Sequence, residues 1–412
     1  MRSGRIVVVG ASLAGLHAAE SVRANGFTGE LVLVGGEPHE PYDRPPLSKT
    51  VLSGWLGTDR LLLPTTRNLN ARLLLGVAAT GLDLSAREVR LADGRILGFD
   101  GLVIATGTRA RPWPVVHEAA LRGVHVLRGR DDADRLRADL AEGPRRVLVV
   151  GGGFTGSEVA SSCHDLGLPV TVAHRGAAPM ASALGDLVGG VIGARQRAHG
   201  IDLRVRTTVT ALEGEGRLRR ARLSDGDELD VDIAVVALGS VRNTEWLVGS
   251  GLTADCDPAG RALDRTGAVV PDVYVAGDVA RRRHPHFDAA PQAFEHWGNA
   301  VAQADVVGYN LVHANPRRAT ALPAFWSDQF GLNIKSVGLP HLADDVVLTQ
   351  GSFDRGPFVA AYGRDGITVG AVAVDSPRVL DGYAALVTER APFPPAINAT
   401  DSPEPTVHGG QS

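Results

Sequence analysis

Two glycine-rich turns carry the first chemistry readable in this chain. One is Val9-Gly10-Ala11-Ser12-Leu13-Ala14-Gly15 and the other Val150-Gly151-Gly152-Gly153-Phe154-Thr155-Gly156. Glycines at this spacing let a backbone bend sharply and approach a pyrophosphate, while the helix that follows offers its positive N-terminus. One such turn holds one dinucleotide. Two in a single chain imply two dinucleotides brought together, an arrangement whose usual purpose is to move electrons between them. The first turn carries Ser12 at the middle glycine position, the smallest substitute with a hydroxyl that can donate to phosphate. Glu37 is spaced to accept hydrogen bonds from ribose hydroxyls, though it lies further along than the roughly 20 residues usual for that acid; the alternative is a solvated loop carboxylate. The corresponding position of the second copy is His174-Arg175, with no acid, which leaves the choice between a free ribose and a 2′-phosphate open. Asp278 ends an apolar run, Val273–Gly277, where a buried acid needs polar partners such as polyol hydroxyls or the next helix N-terminus.

The elements around these residues repeat. Residues 5–10 read as a buried strand, 14–25 as a helix and Leu31–Val34 as a second strand. Val147–Val150, Gly156–Leu166 and Val170–Ala173 follow the same order. Each unit continues into a hairpin, marked by Asp93-Gly94 and Asp225-Gly226, and closes on an apolar strand that ends at a glycine, Gly107 or Gly239. The pattern predicts an α/β protein with two Rossmann-like dinucleotide-binding domains. A long helix is expected over Ala289–Leu311, and short alternating strands after Phe325 predict a C-terminal α+β domain. The expected organisation is 1–108 with 233–318, 109–232, 319–395, and a loose tail over 396–412.

Composition excludes several classes. The net charge of −4 gives no nucleic-acid footprint, and no apolar run reaches membrane-spanning length. The two cysteines, Cys163 and Cys256, are far apart, which excludes a disulfide framework or a local dithiol centre. Cys256 reads as a loop residue whose acidic neighbours, Asp255 and Asp257, work against thiolate chemistry. No histidine spacing predicts a metal site, and His284-Pro285-His286 reads as a surface loop. The expected setting is the cytoplasm. Only two of the 42 Lys and Arg side chains are lysines, Lys49 and Lys335. Lys49 follows the rigid Pro45-Pro46 pair, which suits an ammonium that must be fixed in place.

Tyr42-Asp43-Arg44-Pro45-Pro46-Leu47-Ser48-Lys49, Ala105-Thr106-Gly107, Val275-Ala276-Gly277-Asp278 and Phe325-Trp326-Ser327-Asp328-Gln329 are more specific than either glycine turn. With them, the chain resembles the FAD-dependent ferredoxin reductases of the putidaredoxin reductase and biphenyl dioxygenase reductase type, from the first strand to about residue 390. The resemblance implies a glutathione reductase-like fold, noncovalent FAD on the first turn, and NADH, with NADPH possible, on the second. It places Gly10, Ser12, Ala14, Gly15, Arg44 and Lys49 along the FAD pyrophosphate and flavin. Glu37 falls at the adenosine ribose, Ala79 near adenine, Arg128 at the flavin, Asp278 at the ribityl chain and Trp297 at the end of the flavin. Thr106, Gly107 and Gly239 belong to the strand ends of the same site. Gly151, Gly153, Phe154, Thr155, Gly156 and Glu158, with His174 and Arg175, form the nicotinamide-nucleotide side. In this family a carboxylate at the position of Glu158 holds the lysine, so Lys49 and Glu158 are the implied catalytic pair.

The implied partner is an iron–sulfur ferredoxin that supplies a haem monooxygenase or ring-hydroxylating dioxygenase, with the chain a monomer or weak dimer. Arg281-Arg282-Arg283, Arg317-Arg318 and Lys335 are candidate docking cations. Flavoproteins of this fold also act as redox-gated interaction modules, and a rubredoxin is an alternative acceptor.

Overall fold

The computed structural model describes residues 3–65, 69–354 and 356–396; the expected tail lies outside them except for residue 396. The first sheet has a parallel centre in which Arg5–Val9 lies between Glu30–Gly35 and Gly101–Ile104, with Val269–Val275 and Arg72–Leu75 outside these. Its strands are apolar on both faces because both are covered. Val7 and Val9 pack into one buried cluster, Ile6 and Val8 into another that includes the helices Leu13–Ala24 and Trp297–Val312. Each such side chain, fully withdrawn from water, contributes about 1.5–3 kcal/mol. The second sheet repeats the logic with five parallel strands, in the order Asp202–Val205, Val170–His174, Val147–Val150, Ile233–Val236, Val124–Val126. Val147 and Val149 face one cluster and Leu148 and Val150 the other. An antiparallel three-stranded insert accompanies each unit, 79–98 and 209–230, turning at the two predicted Asp-Gly hairpins. The third sheet is antiparallel, in the order Ala324–Gln329, Leu332–Gly338, Ile367–Val374, Phe358–Arg364, Asp345–Gly351.

Three expectations change. Ile233–Val236 pairs residue for residue with Val147–Val150, so it closes the second unit, and the second domain does not end at 232. The chain returns to the first unit through Ser240–Arg242, which pairs antiparallel with Thr108–Ala110. The long helix begins at Trp297, not Ala289. Pro291 cannot supply an interior helical N–H, and Gln292–Ala293 pairs instead with Arg281–Arg282. Cys256 ends the strand Leu252–Cys256 rather than sitting in a loop.

His284 is also not on the surface. It is 4 % exposed, its Nε2 faces the Ala321 carbonyl at 3.0 Å, and its Nδ1 accepts from the His286 N–H. Burial pushes its pKa down to about 4. The unfolded chain regains an ordinary value near 6.5 and so binds the proton first as pH falls. The stability it contributes is complete above about pH 6.5 and declines by up to about 3 kcal/mol toward pH 4. His284→Asn should lose less stability than the parent between pH 7 and pH 5, as measured by chemical denaturation.

Candidate active site

The glycines of each turn divide into two kinds. Gly10 has φ +119°, and a Cβ there would lie 2.0 Å from the Ala105 carbonyl oxygen; a Cβ on Gly15 would lie 1.7 Å from the Gly10 oxygen. In the second turn Gly151 has φ +110°, and a Cβ on Gly156 would lie 1.9 Å from the Gly151 oxygen. These four are required by the packing of strand, turn and helix. The middle position is different: a Cβ on Gly153 would meet nothing within 4 Å. It borders open space, as a position facing a ligand must, and Ser12 is its counterpart in the first turn. The Ser12 hydroxyl makes no capping bond to the helix Leu13–Ala24 and instead lies 3.4 Å from the Arg44 guanidinium.

Arg44 ties the first unit together. It donates to Tyr42 Oη at 2.8 Å, to the Arg128 carbonyl at 3.0 Å and to Glu37. Glu37 is therefore not a free loop acid. Burial alone would raise its pKa, but the Arg44 charge and hydrogen bonds from Tyr42 and Arg44 hold it below the ordinary carboxylate range. Asp278, 2.6 Å from Arg128 Nη2, closes the opposite side, and Arg128 Nε donates to the Thr108 carbonyl. Gly277 has φ +78° and approaches Ala14 so closely that an added Cβ would lie 2.7 Å from the Ala14 methyl. Small residues at both positions bring Asp278 over the N-terminus of the first helix. Thr106 is fixed by reciprocal bonds with Asn243, at 2.7 and 2.9 Å.

These groups border one cavity of 1310 Å³, which also receives Gly10, Ser12, Ala14, Glu37, Lys49, Ala79, Gly107, Gly239 and Trp297. From the second unit Gly153, Phe154, Thr155 and Glu158 line it. Gly15, Gly151, Gly156, His174 and Arg175 do not line it; the first three act through packing, and the last two lie at the far end of the second turn. Where the two units meet, Lys49 Nζ lies 2.7 Å from Glu158 Oε2. Ser48 donates to the same oxygen at 2.6 Å, and Ser327, from the third sheet, donates to Oε1 at 2.7 Å. Trp297 and Trp326 stand at the cavity with ring centroids 6.3 Å apart, each 37 % exposed rather than in the core, and Trp297 Nε1 donates to Asp43.

Sequence reasoning missed Ser48, Ser327, Asp43 and Asn243. The first three stand inside the quoted motifs, which was the available signal; Asn243 had none. Of the Arg281–Arg283 run, Arg281 and Arg283 are exposed and Arg282 is not. Arg281 pairs with Asp255 through two contacts of 2.8 and 2.6 Å, and Arg282 is 2 % exposed, stacked over Phe294. Arg317 lies over the Tyr309 ring. Lys335 does not line the cavity; it is paired directly opposite Trp326, which does, across the antiparallel strands. Both cysteines are buried outside the cavity, and burial pushes each thiol up to about 12. For Cys256 burial outweighs the acidic neighbours, and Arg282 opposes it. No group of His, Cys, Asp or Glu among the described residues could hold a metal ion, and no described helix is long and apolar enough to cross a membrane.

The volume exceeds the roughly 300–1,000 Å³ of ordinary small-molecule sites. With an open glycine turn at one end and paired carboxylates along the wall, it fits a dinucleotide such as FAD. Comparison with known proteins agrees. Residues 4–304 match the family described as pyridine nucleotide-disulphide oxidoreductase, and residues 324–404 match the reductase C-terminal family. The ferredoxin–NAD(P)+ reductase of a Sphingomonas species is 33 % identical over 405 residues, covering 97 % of this chain and 96 % of that one. Rhodocoxin reductase of Rhodococcus erythropolis is 34 % identical, covering 96 % of this chain and 92 % of that one. The solved structure of the covalent putidaredoxin reductase–putidaredoxin complex superposes with a TM-score of 0.88 at 29 % identity, covering 95 % of this chain and 94 % of that chain.

Proposed function

The chain belongs to the pyridine nucleotide-disulphide oxidoreductase family and is an FAD- and NAD(P)H-dependent oxidoreductase, and from that premise we propose that its electrons pass to an iron–sulfur ferredoxin. The observation that carries this reading is the Lys49–Glu158 pair, set where the cavity of the first unit meets the turn of the second. Bound FAD supplies the acceptance of a hydride from reduced nicotinamide and the release of electrons one at a time.

The chain positions and neutralises. The N–H groups at the start of the first helix and the Arg44 guanidinium, which line the cavity, would hold the pyrophosphate. Glu37, held by Arg44 and Tyr42, and Asp278, held by Arg128, would accept from ribose and ribityl hydroxyls. Lys49 would present a fixed cation to the flavin, and Glu158 with its two serines stops that ammonium from swinging away. Gly153, Phe154 and Thr155 receive the nicotinamide side. No thiol takes part, because both cysteines are buried away from the cavity.

An acidic ferredoxin docks over Trp297, Trp326 and Lys335, and the reduced ferredoxin serves a haem monooxygenase or ring-hydroxylating dioxygenase. The same reading makes the protein a cytoplasmic monomer or weak dimer that needs neither membrane nor nucleic acid. The test mixes the protein with NAD(P)H, a ferredoxin and cytochrome c. Cytochrome reduction should depend on ferredoxin and slow as ionic strength rises. Lys335→Glu should raise the KM for ferredoxin several-fold. A flavin that is reduced but passes nothing to ferredoxin would identify a redox-gated interaction module instead.

A further inference from the structure

Trp297 is the first residue of its helix, and Gly298, which follows it, borders open space. The groups that meet its ring come from distant parts of the chain. His17, on the helix Leu13–Ala24, approaches the indole edge-on, with centroids 6.3 Å apart and planes at 74°. Trp326, on the strand Ala324–Gln329, approaches at the same distance and 67°. The directional contact is the third: the indole Nε1–H donates to Asp43 Oδ1 at 2.9 Å, across 254 residues of sequence. An indole can only donate, and a carboxylate is the stronger kind of acceptor for it. Asp43, Trp297 and Trp326 all line the cavity.

The acceptor is itself fixed. The Asp43 N–H donates to the Leu61 carbonyl at 2.8 Å, and Tyr42 before it bridges to Leu62. Arg44 after it reaches the Arg128 carbonyl, and Pro45–Ser48 forms a short helix that leads to Lys49. One rigid segment thus presents a cation to Glu158 and an anion to Trp297. The anion needs a reason. A carboxylate beside a surface that receives an acidic protein opposes docking, so association alone favours a neutral residue at position 43. Fixing the indole supplies the reason. Electron transfer depends on how closely donor and acceptor are packed, and a ring that swings leaves water in the gap.

We propose that Asp43 is a positioning residue for electron exit, fixing the Trp297 indole between the cavity and the face on which the ferredoxin docks. The proposal rests on the ferredoxin reductase reading and specifies how the acceptor side is built. Two stopped-flow steps are compared on FAD-loaded protein: reduction of flavin by NAD(P)H, and transfer of one electron from reduced flavin to the iron–sulfur cluster. Asp43→Ala should slow the second about 10-fold more than the first, the weight of one hydrogen bond to a charged acceptor. Asp43→Asn keeps an acceptor and drops the charge, so it should restore most of kcat without raising the KM for ferredoxin. In a Trp297→Phe background Asp43→Ala should have no further selective effect on the second step. Fluorine NMR of the fluorotryptophan-labelled protein gives a readout independent of turnover. The Trp297 resonance, assigned by its loss in Trp297→Phe, should shift and broaden in Asp43→Ala and stay sharp in Asp43→Asn. Equal slowing of both steps, an effect that persists without Trp297, or an unmoved resonance overturns the proposal. A parent whose reduced flavin passes nothing to ferredoxin sinks the reductase reading and the exit role with it, while the fluorine spectra still decide whether Asp43 holds the ring.

Discussion

Lys49→Met is expected to slow flavin reduction by about 100-fold, equivalent to about 3 kcal/mol of lost transition-state stabilisation. The side chain keeps its length and loses its charge, so substrate access is unchanged while the fixed cation is gone. The substitution has a second consequence. Glu158, its side chain 9 % exposed, retains Ser48 and Ser327 but loses the ammonium 2.7 Å away. A buried carboxylate deprived of its cation costs about 3–5 kcal/mol, so the variant should also melt earlier. The Lys49→Met, Glu158→Gln double variant separates the two effects. It should recover most of the thermal stability and none of the reduction rate. A double variant that reduces flavin at the parent rate would make Lys49 a structural counter-ion and remove it from the chemistry. Stopped-flow absorbance and thermal denaturation on the same preparations provide both readouts.

Gly15→Ala is expected to give a protein that cannot retain flavin. The added methyl would lie 1.7 Å from the Gly10 carbonyl oxygen and 3.3 Å from a Val8 methyl. Backbone cannot move aside as a flexible side chain can, so the helix Leu13–Ala24 must shift from the strand end. Overpacking of this kind costs about 1–3 kcal/mol, and the shift opens the turn that the pyrophosphate needs. Flavin content, taken as the ratio of visible to ultraviolet absorbance, should fall below about a tenth of the parent's, in line with that penalty falling on the bound geometry. Gly153→Ala is the control: its methyl enters open space in the other turn, so flavin content should stay at the parent level. Flavin retained by Gly15→Ala would mean that the strand–helix contact is looser than the geometry indicates.

The glycine turns, the repeat and the hairpins were legible because their causes are local. A left-handed φ, a two-faced apolar strand and an Asp-Gly turn are properties of a few neighbouring residues. Other features arise only when distant segments meet. Ser327 reaches Glu158 across 169 residues and Ser48 across 110, and nothing in either local sequence marks the meeting. Arg282 looks like surface because arginine is rarely buried. Its burial depends on the Phe294 ring 5.4 Å away and the Ala319 carbonyl, both supplied by later segments. The boundary at 233 was misplaced although the repeat contained the answer. Each unit closes on an apolar strand beside its first, as Gly101–Ile104 does in the first unit, and Ile233–Val236 is that strand in the second. The Pro-rich segment through Lys49 carried its resemblance at the level of type and order, and the ion pair it implied is present.

The serine at position 327 limits how freely the C-terminal portion can be exchanged. It stands in a relay in which Gln329 donates to it at 3.0 Å, Gln196 donates to Gln329 at 3.2 Å, and Gln196 donates to Ser157 at 3.1 Å. A chimera that grafts a foreign tail module lacking this hydroxyl would leave one carboxylate oxygen unsatisfied, although the graft point is far along the chain from either nucleotide turn. Recombination between such reductases is therefore constrained at a seam, and Ser327 has to travel with Glu158.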